Sequence, residues 1–348
     1  MEMTKFSDTS ERSQDLNQGQ DSGVELLNLI MAYSISTSVR AAAQLGLADH
    51  LRNGSKTIDE LARLTHTQGI HLQRILRVLC ANRVFREQPI DTYQLDELGK
   101  QMLSDSPTRL KDAALMLTDA AFLHCAGDLA KAAAGTPIFR ERFGHGFFEH
   151  WEDEAIHDVF HQGVAGLSMA SNHLLIEQID VPEGATVVDV GGGIGGLLLL
   201  ILQQNPSAYG ILFDQAQVLD NSVLPNLNQP ERWKLVSGDF FESCPAGDIY
   251  LLQMIIHDWS DEQGITILRN CKRGMSENGR ILILESVIEP NNQPDGGKLL
   301  DLITMCVLED SRERTLAEFE ALFEQAGLRL IRRIPTAGLC SILEVGHK

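Results

Sequence analysis

Several features that define other classes of protein are missing from this sequence of 348 residues. Its six cysteines form no Cys-x-x-Cys pair and no tight cluster with histidine, which argues against a disulfide framework or a structural zinc site. No apolar run approaches the roughly 20 residues that cross a bilayer, and the polar residues 1–22 lack the apolar core of a secretory signal. We therefore expect a cytoplasmic protein with no membrane partner.

Positive charge is scarce as well. The 29 lysines and arginines face 48 aspartates and glutamates, which gives a formal net charge of −19 at pH 7. Such a chain repels the phosphate backbone of nucleic acids. Nucleic acid is therefore not expected as a partner.

The remaining composition is that of an ordinary globular protein, with 43% hydrophobic residues and enough length for two domains. Changes of pattern along the chain predict four parts. They are a flexible tail at residues 1–22, a winged-helix-like dimerisation domain at 23–105, a helical linker that contributes to a substrate pocket at 106–180, and a cofactor-binding sheet domain at 181–348.

The pattern of residues 23–105 is helix, turn, helix and short hairpin, as in winged-helix domains. Thr57 with Glu60 three residues later predicts a capped helix start, and the hairpin is expected between Val84 and Tyr93. Two interpretations compete. One is a DNA-binding regulator whose second helix enters a major groove, and the other is a dimerisation and substrate-lid domain of the same shape. The acidic net charge favours dimerisation.

Short aliphatic runs separated by helical stretches follow Pro182. The runs are TVVDV, YGILF, WKLVSG, DIYLLQMI, RILILES, LRLIRRI and SILEV. This alternation predicts an open, mostly parallel sheet, and the close spacing of the last two runs predicts an antiparallel hairpin at its edge. The predicted fold class is therefore α/β, with a C-terminal Rossmann-like sheet and an N-terminal helical winged-helix domain.

A glycine-rich turn follows the first of these runs, in VVDVGGGIGG. Gly191 and Gly193 allow the backbone to turn with positive φ and let a ligand press against bare peptide groups. Asp214 ends the second run and suits the two ribose hydroxyls of a nucleoside. Asp239 and Phe240, after the third run, suit its adenine amino group and ring. For either aspartate alone a turn or helix cap is the simpler interpretation, but together they predict a nucleoside-cofactor site at one sheet edge.

Six ordered motifs make the chain similar to a known family. They are DVGGGIGG, FDQAQV, GDFFES, MIIHDWSDE, GRILILES and SRERTLAEFEALFEQAGL. Over residues 23–345 the sequence resembles the class I S-adenosylmethionine-dependent O-methyltransferases, specifically the dimeric caffeate, hydroxyindole and polyketide-tailoring type. The resemblance implies a homodimer that uses S-adenosyl-L-methionine, releases S-adenosyl-L-homocysteine and needs no metal. Its implied acceptor is a hydroxyl of a small aromatic or polyketide-like metabolite.

The same resemblance implies roles for three catalytic residues. In this family the histidine of the His-Asp-Trp motif is the general base that deprotonates the acceptor, and here that residue is His257. Glu285 and Glu313 match carboxylates that flank and orient this histidine. A phenol with a pKa of about 10 is within reach of an imidazole with a pKa of about 6.5, because its oxygen attacks a positively charged sulfonium.

Further residues match family positions near the ligands. Ser168 falls where the family contacts the methionine end of the cofactor, and Gln253 occupies the position usually held by Lys or Arg near the adenine. Asp258 is expected to hold substrate or cofactor, and His124 lies on the helix predicted to face the pocket from the other side. Leu308 stands where plant relatives have an asparagine that touches phenolic substrate, which argues against a plant-type substrate.

Two other functions stay open at this point. An enzyme of the same fold could use bound S-adenosylmethionine for a pericyclic, decarboxylating or hydroxylating reaction, and the winged helix could belong to a DNA-binding regulator. The presence of His257, Glu285 and Glu313 favours methyl transfer over the first. The negative charge of the chain argues against the second.

Overall fold

The computed structural model describes residues 21–89, 91–153 and 156–348. The flexible tail predicted for residues 1–22 therefore lies almost entirely outside the described residues. Two compact units make up the chain: one ends at Ser104, and the other runs from Asp105 to Lys348. The segment predicted as a helical linker belongs to the same unit as the main sheet.

The first unit is a helical domain with a small sheet. Its helices are α1 (residues 21–31), α2 (Tyr33–Gln44), α3 (Leu47–Leu51), α4 (Ile58–Leu64), α5 (Gly69–Ala81) and α6 (Glu97–Lys100). Its strands are β1 (Lys56–Thr57), β2 (Phe85–Gln88) and β3 (Thr92–Leu95), in the antiparallel order β1-β3-β2. The pair β2 and β3 forms the predicted hairpin, and β1 adds a strand that the sequence pattern did not predict.

Helix α4 begins where the sequence predicts. Thr57 Oγ1 accepts a hydrogen bond from the Glu60 backbone N–H at 3.3 Å, and Glu60 Oε2 accepts one from the Thr57 N–H at 2.8 Å. This reciprocal pair satisfies two of the backbone donors that have no partner inside a helix. Helix α5 follows and buries Leu72, Leu76 and Leu79 along one face, as a surface helix does when it packs on a core.

Six helices open the second unit. They are α7 (Leu110–Leu117), α8 (Ala120–Ala126), α9 (Leu129–Ala132), α10 (Ile138–Phe143), α11 (Phe147–His150) and α12 (His157–Ile176). Isolated helices as short as most of these are unstable, so their stability comes from packing. Phe122, Phe139 and Trp151 are buried around Phe147, whose ring meets all three nearly edge-on at centroid distances of 5.2 to 6.0 Å.

A seven-stranded sheet forms the rest of the second unit, in the order β11-β12-β8-β7-β4-β5-β6. Its strands are β4 (Thr186–Val190), β5 (Tyr209–Asp214), β6 (Trp233–Ser237), β7 (Gly247–Gln253), β8 (Met275–Glu285), β11 (Leu328–Ile334) and β12 (Ser341–His347). Strands β4 to β8 pair in parallel, while β12 is antiparallel to both β8 and β11. This arrangement confirms the predicted α/β class and the predicted antiparallel hairpin at the edge.

Helices, short turns and a second small sheet connect these strands. The helices are α13 (Gly196–Gln204), α14 (Ala216–Leu219), α15 (Asp261–Gly274), α16 (Gly296–Val307) and α17 (Leu316–Ala326), and the 3₁₀ turns are Leu224–Leu227, Pro230–Arg232 and Ile256–Asp258. Strands β9 (Val287–Ile288) and β10 (Arg314–Thr315) pair in parallel and bring two distant segments together.

The central strands are buried on both faces, which explains their continuous apolar sequence. Val188 and Val190 of β4 pack in one core, and Val187 packs in the core on the opposite face. In a parallel sheet the carboxyl ends of all strands meet at one edge, and ligands of open α/β sheets bind there. No helix among the described residues is long and apolar enough to cross a membrane.

Candidate active site

The glycine-rich turn after β4 presents backbone to a cavity. Gly191 and Gly193 have φ of +63° and +59°, a conformation that side chains with a Cβ rarely adopt. A Cβ on Gly191 would also lie 2.6 Å from Ile255 Cδ1, whereas one on Gly193 would meet no atom within 4 Å. Both positions thus favour glycine through their conformation, and a side chain at Gly191 would in addition require Ile255 to move.

Asp214, at the end of β5, is fixed beside this turn. Its Oδ2 accepts a hydrogen bond from Gly193 N–H at 2.8 Å, and its Oδ1 accepts one from Gln215 N–H at 2.7 Å. Burial raises the pKa of Asp214 in spite of these two bonds. Burial and then the charge of Asp214 raise the pKa of Asp189, directly behind the turn, to about 7. A ligand with hydroxyl donors or positive charge would relieve this concentration of carboxylates.

His257 lies in the 3₁₀ turn that follows β7. The ring is 5% exposed, and its Nδ1 donates a hydrogen bond of 2.6 Å to Oε1 of Glu313, whose side chain is also buried. Its Nε2 is 3.4 Å from Asp258 Oδ1. Because Nδ1 carries the proton in this bond, a neutral His257 has its lone pair on Nε2, where it can accept a proton.

Glu285 acts on the backbone of this turn more than on the imidazole. Its Oε1 accepts hydrogen bonds from Ile255 N–H at 2.9 Å and Ile256 N–H at 2.8 Å, while its Oε2 is 4.0 Å from His257 Nδ1. Of the two predicted flanking carboxylates, only Glu313 therefore contacts the ring directly. His257, Glu285 and Glu313 also place ligand atoms within 4.8 Å of one another, and Oε2 of each glutamate is buried without a hydrogen-bond partner among the described residues.

The pKa of His257 differs from the ordinary value on which the sequence argument relied. Burial lowers this pKa, but the charges of Asp258, Glu285 and Glu313 outweigh burial and raise it to about 10. The imidazole is therefore a stronger base than a free histidine, and its pKa matches that of a phenol. A positively charged ligand in the same cavity would lower it again.

A single cavity of about 420 Å³ connects these groups. Gly191, Gly193, Asp214 and His257 all line it, together with an aromatic wall. The aromatic wall comes from Phe122, Phe147, Phe148, Trp151, Phe160 and Trp259. A second cavity of about 270 Å³ shares six lining residues with the first, among them Asp258, Trp259 and Leu308. Such a shape, polar at one end and apolar at the other, suits two different ligands.

Comparison with known proteins identifies the family to which this chain belongs. A family model described as the O-methyltransferase domain matches residues 124–329, and one described as the O-methyltransferase dimerisation domain matches residues 27–105. The chain belongs to the O-methyltransferase family. Phenazine O-methyltransferase PhzM of Lysobacter antibioticus is 36% identical over 323 residues, which cover 92% of this chain and 94% of that protein.

Solved structures agree with this assignment. CalO1, a methyltransferase in calicheamicin biosynthesis solved in its S-adenosylhomocysteine-bound form, superposes with a TM-score of 0.88 at 35% identity, over 94% of this chain and 99% of that one. NcsB1, an O-methyltransferase from neocarzinostatin biosynthesis solved with S-adenosylmethionine and a naphthoic acid, gives 0.72 at 28% identity, over 90% and 96%. S-adenosylmethionine is accordingly the cofactor of this O-methyltransferase, and the cavity beside Asp214 has the hydrogen-bonding groups to hold it.

Most residues predicted for the site of this O-methyltransferase do line the cavity. They are Ser168, Gly191, Gly193, Asp214, Phe240, Gln253, His257, Asp258 and Leu308. Glu285 and Glu313 lie buried behind His257. Two predicted residues are not brought to the lining. Asp239 is exposed and its Oδ1 accepts a hydrogen bond of 2.7 Å from Phe241 N–H, which is the turn interpretation, and His124 is exposed on α8.

Asn172 lines the cavity and escaped the sequence analysis. It is 1% exposed, and its Oδ1 accepts a hydrogen bond of 2.8 Å from Gln253 Nε2. Its Nδ2 has no partner among the described residues although it is buried. A buried unpaired donor is costly, so this amide suits a ligand oxygen. Helical spacing places Asn172 one turn after Ser168 on α12, a signal that could have revealed it.

Arg314 is the second residue that the sequence analysis missed. Its guanidinium is fully buried, and it donates to Asp261 Oδ1 through both Nε and a terminal nitrogen, at 3.0 and 2.8 Å. It also donates to the backbone carbonyls of Ile256 at 2.9 Å and Trp259 at 2.8 Å. These bonds join the turn that carries His257 to the segment that carries Glu313, so Arg314 positions the pair.

Replacing Glu313 with glutamine should lower the pKa of His257, because it removes a negative charge that stabilises the imidazolium while keeping an oxygen that can accept from Nδ1. We expect the acid limb of kcat/KM for the acceptor, measured at saturating S-adenosylmethionine, to move to lower pH by on the order of one unit. The maximum should fall because the base is weaker. The surface variant Glu324→Gln is the matched control, and an unmoved acid limb in Glu313→Gln would show that Glu313 does not set this pKa.

Replacing Arg314 with lysine should displace His257, because an ammonium keeps the charge but cannot bond Asp261 and two carbonyls in one plane. We expect kcat to fall on the order of tenfold or more while the Kd for S-adenosylmethionine changes little, since Asp214 and the glycine turn are untouched. The neighbouring Arg312→Lys is the control: its side chain is 43% exposed and pairs with Asp261 and Glu318. Wild-type kcat in a folded Arg314→Lys protein would remove Arg314 from this role.

Proposed function

We propose that this O-methyltransferase transfers the methyl group of S-adenosylmethionine to a hydroxyl oxygen of a small aromatic or polyketide-like metabolite, with His257 as general base. The observation that carries the proposal is the position of His257, which shares one cavity with the glycine turn and Asp214 while Glu313 holds its Nδ1. An acceptor against the aromatic wall would share this cavity with both the base and the cofactor.

The cofactor is held, in this proposal, by the polar end of the cavity. Asp214 accepts from the ribose hydroxyls, and the bare backbone at Gly191 and Gly193 lets the methionine part approach. Phe240 lies against the adenine ring, and Gln253 bonds its edge. Ser168 meets the methionine end, and the unpaired amide of Asn172, whose Oδ1 accepts from Gln253, offers a further donor beside Gln253. We propose Asp239 for the adenine amino group as well, because its bond from Phe241 N–H, like the two that Asp214 accepts, does not prevent a carboxylate from accepting another donor.

The reaction follows from the position of the proton. Bound S-adenosylmethionine supplies a methyl group that is activated by its sulfonium. The neutral imidazole takes the acceptor proton on Nε2, the acceptor oxygen forms its bond to the methyl carbon, and the carbon–sulfur bond breaks. Glu313 stabilises the imidazolium that results, and Glu285 keeps the turn from moving. Holding both reactants in line supplies much of the acceleration.

Replacing His257 with alanine should abolish most turnover and spare the cofactor. We expect kcat to fall by roughly 10² or more, since the base is lost, with an unchanged Kd for S-adenosylmethionine by calorimetry. Asp214→Asn should instead raise the Kd for S-adenosylmethionine, because the ribose hydroxyls lose a charged acceptor. The assay is accumulation of S-adenosylhomocysteine with a panel of phenols. Failure of every phenol to yield it, or full turnover by His257→Ala, would contradict the proposal.

The dimerisation domain carries an apolar face that suits a second copy of this chain. On α1 the side chains of Val24, Leu26, Leu27, Leu29 and Ile30 are 52 to 69% exposed. Exposed apolar stretches of this size usually mark an interface. Together with the match to the dimerisation family, this face supports a homodimer, and the net charge of −19 supports small molecules over nucleic acid as ligands. We place the protein in the cytoplasm.

Charges on this face should separate the homodimer. Leu26 and Ile30 lie four residues apart on one side of α1, so Leu26→Glu with Ile30→Glu would oppose like charges across the interface. We expect sedimentation velocity to show a dimer for the wild-type chain and a monomer for the double variant. Ile70→Glu, at an isolated exposed position on α5, should leave the dimer intact. A monomeric wild type, or a double variant that stays dimeric, would refute this interface.

A further inference from the structure

Among the described residues, the lining of the main cavity holds three carboxylates, and positive charge in it can come only from histidine. Among the described residues that line it there is no lysine and no arginine. Its acidic lining residues are Glu152, Asp214 and Asp258. Of these, Asp214 stands at the cofactor end, while Asp258 is 3.4 Å from His257 Nε2, where the acceptor reacts. The acceptor half of the cavity is therefore acidic as well as aromatic.

A carboxylate on the acceptor would find the positive charge of His257 already balanced, because Glu313 Oε1 is 2.6 Å and Glu285 Oε2 4.0 Å from its Nδ1, and Asp258 Oδ1 is 3.4 Å from its Nε2. Transfer of an ionised carboxylate from water to a buried site is costly unless a cation or several hydrogen-bond donors replace the water. The indole N–H of buried Trp151 has no partner among the described residues, but one neutral donor suits a carbonyl or ether oxygen better than a charge. The nearby carboxylates Asp258 and Glu152 would add repulsion.

The neighbouring cavity is lined by Arg140, which carries a positive charge. Arg140 Nε donates to Glu309 Oε1 at 2.6 Å, and both side chains are about half exposed, at 53% and 47%. Glu309 thus already balances the charge of Arg140. An anionic acceptor would have to displace Glu309 to use it.

We propose that the acceptor is a planar aromatic alcohol that carries no carboxylate and is either uncharged or cationic. The proposal rests on the function proposed above and narrows its substrate class. The aromatic walls fit such a ring: Phe148 stacks on Trp259 at 6.0 Å and Trp151 on Phe160 at 5.1 Å. A wall of aromatic rings binds flat neutral molecules by stacked or edge-on contacts and attracts cations.

The test compares a hydroxynaphthoic acid with its own methyl ester and with the corresponding aminomethyl compound. The three compounds share one naphthalene ring system and one hydroxyl, and they differ in charge. Each is titrated into the full-length protein loaded with S-adenosylhomocysteine, and each is assayed for turnover with S-adenosylmethionine. We expect the ester and the amine to bind, and the Kd of the ester to be at least roughly tenfold lower than that of the acid, the least that an unpaired buried charge costs.

A charge reversal at Glu152 tests whether the preference for ester over acid arises in the cavity wall. Glu152→Lys should reduce the preference for ester over acid several-fold, because it places a cation in the lining. Glu183→Lys, on an exposed loop outside the lining, changes the net charge equally and should leave the preference as it is. Equal effects of the two variants would assign the preference to the overall charge of the protein and overturn the proposal.

The remaining outcomes are also decisive. Binding of the acid as tight as that of the ester overturns the proposed substrate class, and so does failure of all three compounds to bind. If the ester binds and the acid does not, but no S-adenosylhomocysteine forms with any phenol, the substrate class stands and the proposed methyl transfer fails. The binding and turnover assays therefore separate the two claims.

Discussion

The hydrogen bond between His257 Nδ1 and Glu313 Oε1 joins two segments that are 56 residues apart in the chain. Both groups are buried, so the bond persists only if the backbone on each side is fixed by other contacts. Arg314 supplies part of that restraint, because its guanidinium bonds the carbonyls of the His257 turn. Glu285 supplies the rest from the end of β8, by accepting two backbone N–H groups before the turn.

The electrostatics of the cavity follow from this constraint. Carboxylates that hold His257 in place also raise its pKa to about 10, so the ligand-free site retains a proton on the base. A sulfonium bound in the same cavity opposes that positive charge and lowers the pKa toward the range in which the base is free. Loading of the cofactor thereby prepares the imidazole for the acceptor.

Much of this site could be predicted from the sequence because it depends on local pattern. Gly191 and Asp214 occupy fixed places relative to their strands, and the parallel sheet brings strand ends together whatever the other contacts are. The pair of Asn172 and Gln253 joins residues 81 positions apart, and no local pattern encodes it. The role of Arg314 was hidden for the same reason. Asp239 also follows its strand at this edge, and there the carboxylate accepts a backbone bond within a turn, as that of Asp214 does.

The two halves of the cavity are built differently. This difference explains why the sequence predicts the cofactor but not the acceptor. The cofactor end uses backbone at Gly193 and one carboxylate, which demand particular residues at particular positions. The acceptor end consists of side chains from short helices and the turn at Trp259, and any apolar residue of suitable size fills such a wall. The charge that the wall leaves unbalanced then decides between one acceptor and another. This charge is visible in the assembled cavity but not in the order of the sequence.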